Sequence, residues 1–326
     1  MTATGDPEVL QEQELPKPEI SNPSHILIRL KAAGVNPVDT KLRKNGLFIP
    51  GDRPAILGCD GAGIIEQVGN AVSDFAPGDE VFFCYGGLGQ PSGNYAEYNV
   101  VPSCAVAKKP AAIDFPEAAA APLVLITAWE ALYDRAEMKA GQKVFIHAGA
   151  GGVGHVAIQL AKIAGCQVAT TVSDDKKATF VKSLGADCII NYKTQDVAEA
   201  LLAWTDGHGV DIAFDTVGGP AFTQLIPAVR VYGDVVSILQ IPADTDLKTL
   251  RLRNIRISQE LMLTPMMLGM DDALAHHADI LKQCAALMQG KKLGVHVSNL
   301  LPLEQAAKAH ALIEAGSMSG KVVLDI

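Results

Sequence analysis

Apolar and polar positions follow two different rhythms along this chain. Up to about Pro122, short apolar runs are broken by Gly and Pro at close intervals. Residues 26–30 read as one strand and residues 63–68 as another, and Ala76-Pro77-Gly78-Asp79 signals a turn into a third at Val81-Phe82-Phe83. This pattern predicts a twisted, barrel-like β domain. From about residue 140, strands and helices take turns. An apolar run at 143–148 leads through glycines into a helical pattern that puts Val153, Ala157, Leu160, Ala161 and Ala164 on one face. Strands at 167–172, 187–192, 210–217, 234–239 and 255–263 alternate with helices at 175–184, 196–204 and 221–231. Such alternation predicts a doubly wound, parallel α/β sheet. The Ala-, Leu- and Met-rich stretch 266–288 reads as a single long helix. Lys321-Val322-Val323-Leu324 reads as a strand with no sheet partner nearby in sequence, so it is expected to return to the first domain.

Bulk properties narrow the class. A chain of 326 residues exceeds one average domain. The expected division is 1–122, rejoined by 265–326, and 123–264. With 48% hydrophobic and 19% charged residues, the chain has material for sizeable cores. Aromatic residues are only 5%, so a flat ligand is expected to rest on backbone and aliphatic walls. The net charge of −9 argues against a nucleic-acid partner, which needs clustered Lys and Arg. No window reaches the roughly twenty apolar residues that span a bilayer, so no membrane partner is expected. Residues 1–10 carry Asp6 and Glu8 rather than a basic-then-apolar signal. The cysteines Cys59, Cys84, Cys104, Cys166, Cys188 and Cys284 form no CxxC pair and read as reduced, packed thiols, which points to the cytoplasm.

The stretch His147-Ala148-Gly149-Ala150-Gly151-Gly152-Val153-Gly154 holds a G-x-G-x-x-G pattern between a predicted strand and a predicted helix. In that context the pattern signals a dinucleotide. Gly149 is assigned to the tight turn, Gly151 to the approach of a pyrophosphate, and Gly154 to close helix–strand packing, with the helix N-terminus facing the phosphates. An NAD enzyme places an acid at the end of the next strand to hold the ribose 2′-hydroxyl. Here that position reads Ser173, followed by Asp174-Asp175-Lys176-Lys177. A small neutral residue with lysines beyond it favours the 2′-phosphate of NADPH over NADH. A one-residue slip would make Asp174 the acid instead.

Taken in order, Gly34-Val35-Asn36-Pro37-Val38-Asp39, Leu57-Gly58-Cys59-Asp60-Gly61-Ala62-Gly63, Pro77-Gly78-Asp79, the glycine loop and Gly320-Lys321-Val322-Val323-Leu324 resemble the medium-chain dehydrogenases/reductases over essentially the whole chain. The resemblance implies a GroES-like catalytic β domain interrupted by a Rossmann cofactor domain, and a homodimer. It also separates the zinc branch of that family from the zinc-free, quinone oxidoreductase-like branch. The zinc branch has Cys where this chain has Asn36, His-Glu where it has Cys59-Asp60, and a four-cysteine lobe where only Cys84 and Cys104 occur. A structural zinc takes four ligands and a catalytic one three plus water. Neither set is present, so no zinc is expected, and Cys59-Asp60 reads as a packed thiol beside a turn carboxylate.

Carried over by the same resemblance, Asn36 sits beside the nicotinamide and hydrogen-bonds the acceptor oxygen, and Thr127 contacts the nicotinamide end. Gly151, Gly152 and Val153 hold the pyrophosphate; Ser173, Lys177 and Tyr192 surround the 2′-phosphate; Val217 and Leu239 line the nicotinamide pocket. Many relatives have a Tyr two residues after the loop Asp, where this chain has Lys41. Lys41 reads as an exposed loop lysine or as a group that donates a proton or polarises a carbonyl, the more so if burial lowers its pKa, the other source of the proton being solvent. His147 reads as a strand-end histidine and His276-His277 as surface. Met262, Met266, Met267 and Met270 read as acceptor-pocket wall, core or subunit contact. The expected activity is hydride transfer from NADPH to a small-molecule acceptor, a quinone or similar conjugated carbonyl, without zinc. A 2-alkenal or enone reductase shares the same residues, and a non-catalytic NADPH-binding sensor or structural protein is the alternative of another class.

Overall fold

The computed structural model describes residues 1–51, 54–89, 92–316 and 318–326. The chain forms two compact units, Met1–Leu123 with Leu263–Ile326, and Val124–Met262.

The first unit opens with β1 (His25–Val35), α1 (Pro37–Asn45), β2 (Asp60–Val68), β3 (Glu80–Cys84), β4 (Tyr98–Pro102), β5 (Val106–Lys108) and α2 (Phe115–Ala120). The long β1 pairs antiparallel with β2, and its residues 25–29 also pair with β4. β3 joins β2, and β5 joins β3, again antiparallel. Ile26, Ile28 and Leu30 alternate on one face of β1 and pack with Ile65, Val81, Phe83, Val101 and Val106. Each such side chain contributes about 1.5–3 kcal/mol by leaving water. α1, absent from the sequence expectation, starts where Pro37 takes the first helical position and the Asn36 N–H donates to Asp39 Oδ2 at 2.8 Å.

α3 (Pro122–Trp129) leads into the second unit. There β6 (Lys143–Ile146), α4 (Gly152–Ile163), β7 (Gln167–Val172), α5 (Asp175–Ser183), β8 (Cys188–Asn191), α6 (Val197–Trp204), β9 (Val210–Asp215), α7 (Gly219–Leu225), β10 (Val229–Ser237), α8 (Leu247–Leu252) and β11 (Arg256–Gln259) follow in order. The sheet, in the order β11-β10-β9-β6-β7-β8, is parallel throughout the described residues. From β6 the chain winds one way through β7 and β8, then crosses to β9, β10 and β11 on the other side. This is the doubly wound α/β fold, and its switch point lies between β6 and β9, outside the strand C-termini. Phe145, Ala169, Ile190, Leu201, Ala213, Phe222 and Val235 are buried in its core.

The sequence expectation differs in several details, among them α8, which it did not include. The helix expected over 221–231 ends at Leu225; a short 3-10 turn containing Pro227 follows, and β10 already begins at Val229. Proline has no N–H for a helical bond. In α4, burial is not confined to one stripe, since Val156 and Ile158 are also sealed from water. Tyr133, whose hydroxyl donates to Leu160 O, lies over this helix.

The chain returns to the first unit through α9 (Thr264–Leu268), α10 (Asp271–Gln289), β12 (Val297–Pro302), α11 (Ala306–Ala315) and β13 (Lys321–Asp325). The single helix expected over 266–288 is two, because Gly269 turns left-handed at φ 66°. β13 pairs antiparallel with residues 32–35 of β1. It also pairs parallel with β12, a neighbour in sequence that the apolar pattern did not reveal. His277 is not a surface residue: with Leu274, Ala278 and Leu281 it lies on the buried face of α10.

Candidate active site

Between β6 and α4 the backbone turns sharply. The Ala148 N–H donates to Thr171 Oγ1 at 2.9 Å, the Gly149 N–H to Thr171 O at 3.2 Å, and the Gly151 N–H to Ala148 O at 2.8 Å. The left-handed residue is Ala148, at φ 49°, and not Gly149, to which the sequence assigned the turn. Gly149 is needed for space instead, since a Cβ there would lie 2.1 Å from Thr170 Oγ1. At Gly154 a Cβ would lie 2.4 Å from Ala148 O, so this glycine lets α4 pack onto the turn. A Cβ on Gly151 would meet just Ala148 O, at 3.1 Å, which leaves that side open. Gly151 caps α4 with no side-chain acceptor. The amides of Gly152, Val153 and Gly154 therefore lack intrahelical acceptors and carry the positive end of the helix dipole.

The next edge is built by β7 and β8. Ser173 follows the last residue of β7, and its hydroxyl donates to Asp174 Oδ2 at 2.8 Å. Asp174 Oδ1 accepts the Lys177 N–H at 2.9 Å, so this carboxylate is the cap of α5. That backbone bond, then the Ser173 hydroxyl and the Lys177 and Lys193 ammonium groups, hold the Asp174 carboxyl below its usual range. Tyr192 follows β8, is 54% exposed, and donates its N–H to Val172 O at 3.2 Å. Ser173, Lys177 and Tyr192 are thus brought to one edge of the sheet. Lys193, which the sequence reading passed over, joins them; its adjacency to Tyr192 was the available signal.

At the switch point one carboxylate ties three strand ends together. Asp215 closes β9, and its Oδ1 lies 2.9 Å from His147 Nδ1. The same oxygen accepts the Val217 and Gly218 N–H groups at 3.0 Å, and Oδ2 accepts the Ser237 hydroxyl at 2.7 Å. Burial pushes the Asp215 pKa up, but the bonds from His147, Gly218, Ser237 and Val217 outweigh it, and the net shift is downward. Ser237 Oγ also accepts the Leu239 N–H at 3.2 Å. Val217 and Leu239, both expected to line a pocket, are therefore fixed by Asp215 and Ser237. Neither anchor was singled out in the sequence. His147, although at a strand end as expected, is a buried partner of this network.

The first unit holds a different cluster. Asn36 is 1% exposed; its Nδ2 donates to Asp60 Oδ2 at 2.9 Å, and its Oδ1 accepts from Lys321 Nζ. Lys321, 3% exposed, also lies 3.3 Å from Asp60 Oδ2, and Asp60 Oδ1 accepts the Leu123 N–H at 2.8 Å. Asp60 is therefore no turn carboxylate: it opens β2, buried and ion-paired. Gly34 stands opposite it in register, and a Cβ there would come within 2.9 Å of Asp60 Cβ. Burial raises the Asp60 pKa, opposed by Lys321, Asn36 and the Leu123 amide. Asp39 accepts the Asn36 N–H, the Tyr95 hydroxyl at 3.1 Å and the Cys59 thiol at 3.7 Å. Burial pushes it up to about 7. Burial, then Asp39 and Asp60, push the Cys59 thiol well above its ordinary value. Tyr95 Oη lies 3.2 Å from His310 Nε2, and burial followed by Arg43 brings His310 down to about 3. Lys41 is exposed on α1. Thr127 lies buried in α3 of the second unit.

Comparison with known proteins covers both units. The family described as "Alcohol dehydrogenase GroES-like domain" matches residues 22–111, and that described as "Zinc-binding dehydrogenase" matches 184–324. A zinc-type alcohol dehydrogenase-like protein of Staphylococcus epidermidis is 31% identical over 322 residues, covering 94% of this chain and 93% of that protein. A quinone oxidoreductase of Pseudomonas aeruginosa is 32% identical over 326 residues, 99% of this chain and 97% of that one. Among solved structures, Escherichia coli quinone oxidoreductase complexed with NADPH superposes with a TM-score of 0.86 at 28% identity, covering 100% of this chain and 98% of that chain.

Proposed function

Because the chain belongs to the medium-chain dehydrogenase/reductase family, and to its quinone oxidoreductase-like kind, we propose that it is an NADPH-dependent reductase acting without zinc on a quinone or similar conjugated carbonyl. The observation that carries the cofactor half is the uncapped start of α4 at the sheet's switch point, framed by Gly149 and Gly154. It offers backbone amides and a positive helix end to a pyrophosphate, with Gly151, Gly152 and Val153 nearest. The choice of NADPH rests on Ser173, Lys177, Tyr192 and Lys193. Asp174, the acid that a one-residue slip would offer to a ribose diol, already accepts from the Lys177 N–H and the Ser173 hydroxyl with its two oxygens.

When bound, the dihydronicotinamide supplies the hydride. The chain's own residues position. Asp215 fixes Val217 and Gly218, Ser237 fixes Leu239, and these strand ends wall the nicotinamide. Thr127 contacts the ring. Asn36 has one amide hydrogen beyond its bond to Asp60, and that hydrogen orients the acceptor oxygen. Holding a donor carbon and an electrophilic acceptor in reacting geometry supplies a large share of the barrier reduction.

The test follows NADPH and NADH consumption with quinones, 2-alkenals and simple alcohols, in chelator. The reading expects NADPH oxidation by quinones that survives chelation. Preference for 2-alkenals would reassign the acceptor to a conjugated double bond. Tight NADPH binding with no turnover on any acceptor would replace the enzyme by a nucleotide-binding sensor or structural protein.

A further inference from the structure

At the places of the zinc-branch ligands a divalent ion would find the oxygens of Asn36 and Asp60 and the sulfur of Cys59, and a catalytic zinc takes three protein ligands plus water. These atoms do not fit that task. Asn36 Oδ1 accepts from Lys321 Nζ, and Asp60 Oδ2 lies 3.3 Å from the same nitrogen. Asp60 Oδ1 is turned to the Leu123 amide at 2.8 Å. Zinc takes sulfur as thiolate, whereas the Cys59 thiol is turned to Asp39 Oδ1, 3.7 Å away. One cation already fills the place between amide and carboxylate.

We propose that the Lys321 ammonium is the resident cation of this pocket, excluding a divalent ion from Asn36 and Asp60 and fixing the Asn36 amide with its Nδ2 toward Asp60. Several features serve this placement. Lys321 stands at the first residue of β13, anchored by its N–H to His296 O at 2.9 Å and by Ser298 Oγ donating to its carbonyl at 3.0 Å. Gly320 before it is left-handed at φ 72°, and a Cβ there would lie 2.2 Å from His296 O. The lysine thus enters a sealed pocket from a strand end with little freedom to withdraw. Its charge offsets the buried Asp60, and its hydrogen bond to Oδ1 decides which way the Asn36 amide faces. Lys321 is a positioning residue: it acts on an acceptor through Asn36. This inference rests on the zinc-free part of the reading above and is independent of the acceptor.

The experiment dialyses full-length protein against cobalt(II) chloride, removes loose metal, and reads metal content with the cobalt absorption spectrum. Wild type is expected to retain well under one equivalent, with no sulfur-to-cobalt band. Lys321→Ala is expected to retain close to one equivalent, and to lose it when Asp60→Asn is added. Lys321→Gln carries the same readout should the alanine variant not fold. One equivalent bound tightly by wild type and released by Asp60→Asn would overturn the proposal. So would a folded Lys321→Ala protein that stays free of cobalt. Cobalt uptake is read without turnover, so an inactive protein with the expected metal pattern would refute the reductase and leave this inference standing.

Discussion

Around Gly149–Gly154 the geometry is decided by side chains that are missing, and around Asp60 by charges sealed away from water. In the second unit, the turn closes tightly because Gly149 and Gly154 have no Cβ to collide with Thr170 and Ala148. In the first, Asn36, Asp60 and Lys321 satisfy one another, and beside them Asp39 accepts from both Cys59 and Tyr95. The difference teaches what each is suited for. A backbone site grips a phosphate through contacts that substitution disturbs mainly by steric intrusion. A buried charged cluster is sensitive to losing any partner, because the group left behind has no water to turn to.

The largest expected effect is on the charged cluster. Lys321→Met strands Asp60 and should cost about 3–5 kcal/mol in denaturant unfolding, with the double variant Lys321→Met/Asp60→Asn recovering much of it. Equal costs for the single and double variants would show that the two charges are not coupled. Next comes the glycine turn. Gly149→Ala should cost about 1–3 kcal/mol of stability by overpacking against Thr170. Gly151→Ala, on the open side, should fold within about 1 kcal/mol of wild type yet weaken NADPH by about tenfold or more in a fluorescence titration. The reverse order in stability would break the steric account of the turn.

A smaller effect separates the two nucleotides. Lys177→Ala should weaken NADPH by about tenfold, and less at high salt, while leaving NADH unchanged. Equal losses for both would remove the 2′-phosphate from this edge. The smallest concerns pH. Asp39, raised to about 7 in the folded protein, keeps a proton that the unfolded chain releases near 3.8. Its stabilising contribution is complete below that lower value and is lost as pH rises toward about 7. His310, lowered to about 3 from 6.5, works oppositely: its contribution is present above 6.5 and lost as pH falls toward 3. Asp39→Asn should therefore gain on wild type between about pH 4 and 7 in thermal melts, and the gap should level off above that range. A pH-independent gap would contradict the buried, protonated Asp39.

What the sequence disclosed follows the same division. The βαβ units of the parallel sheet and the glycine turn are local signals, each written within roughly thirty residues, and they were legible. The helix start at Asn36-Pro37-Val38-Asp39 is equally local, with proline at the first helical position and an acid two residues later. Two breaks were missed because the apolar pattern runs through them: Pro227 after α7 and Gly269 between α9 and α10. The buried cluster was not legible. Asp60 and Lys321 are 261 positions apart, and nothing in a strand such as Lys321-Val322-Val323-Leu324 says that its lysine points into the unit. Asp215 and Ser237 were hidden for a similar reason, since each is an ordinary strand-end residue until the sheet aligns them with His147. Lys41 shows the converse, a residue given a role by its neighbours in sequence and left exposed by the fold.

The most direct test of the reductase account is a kinetic one. NADPH deuterated at C4 should be oxidised by a quinone more slowly than unlabelled NADPH, at rates unchanged by chelator and at protein zinc far below one equivalent. NADPH that binds but is consumed by no acceptor, or turnover that chelation abolishes and zinc restores, would contradict it.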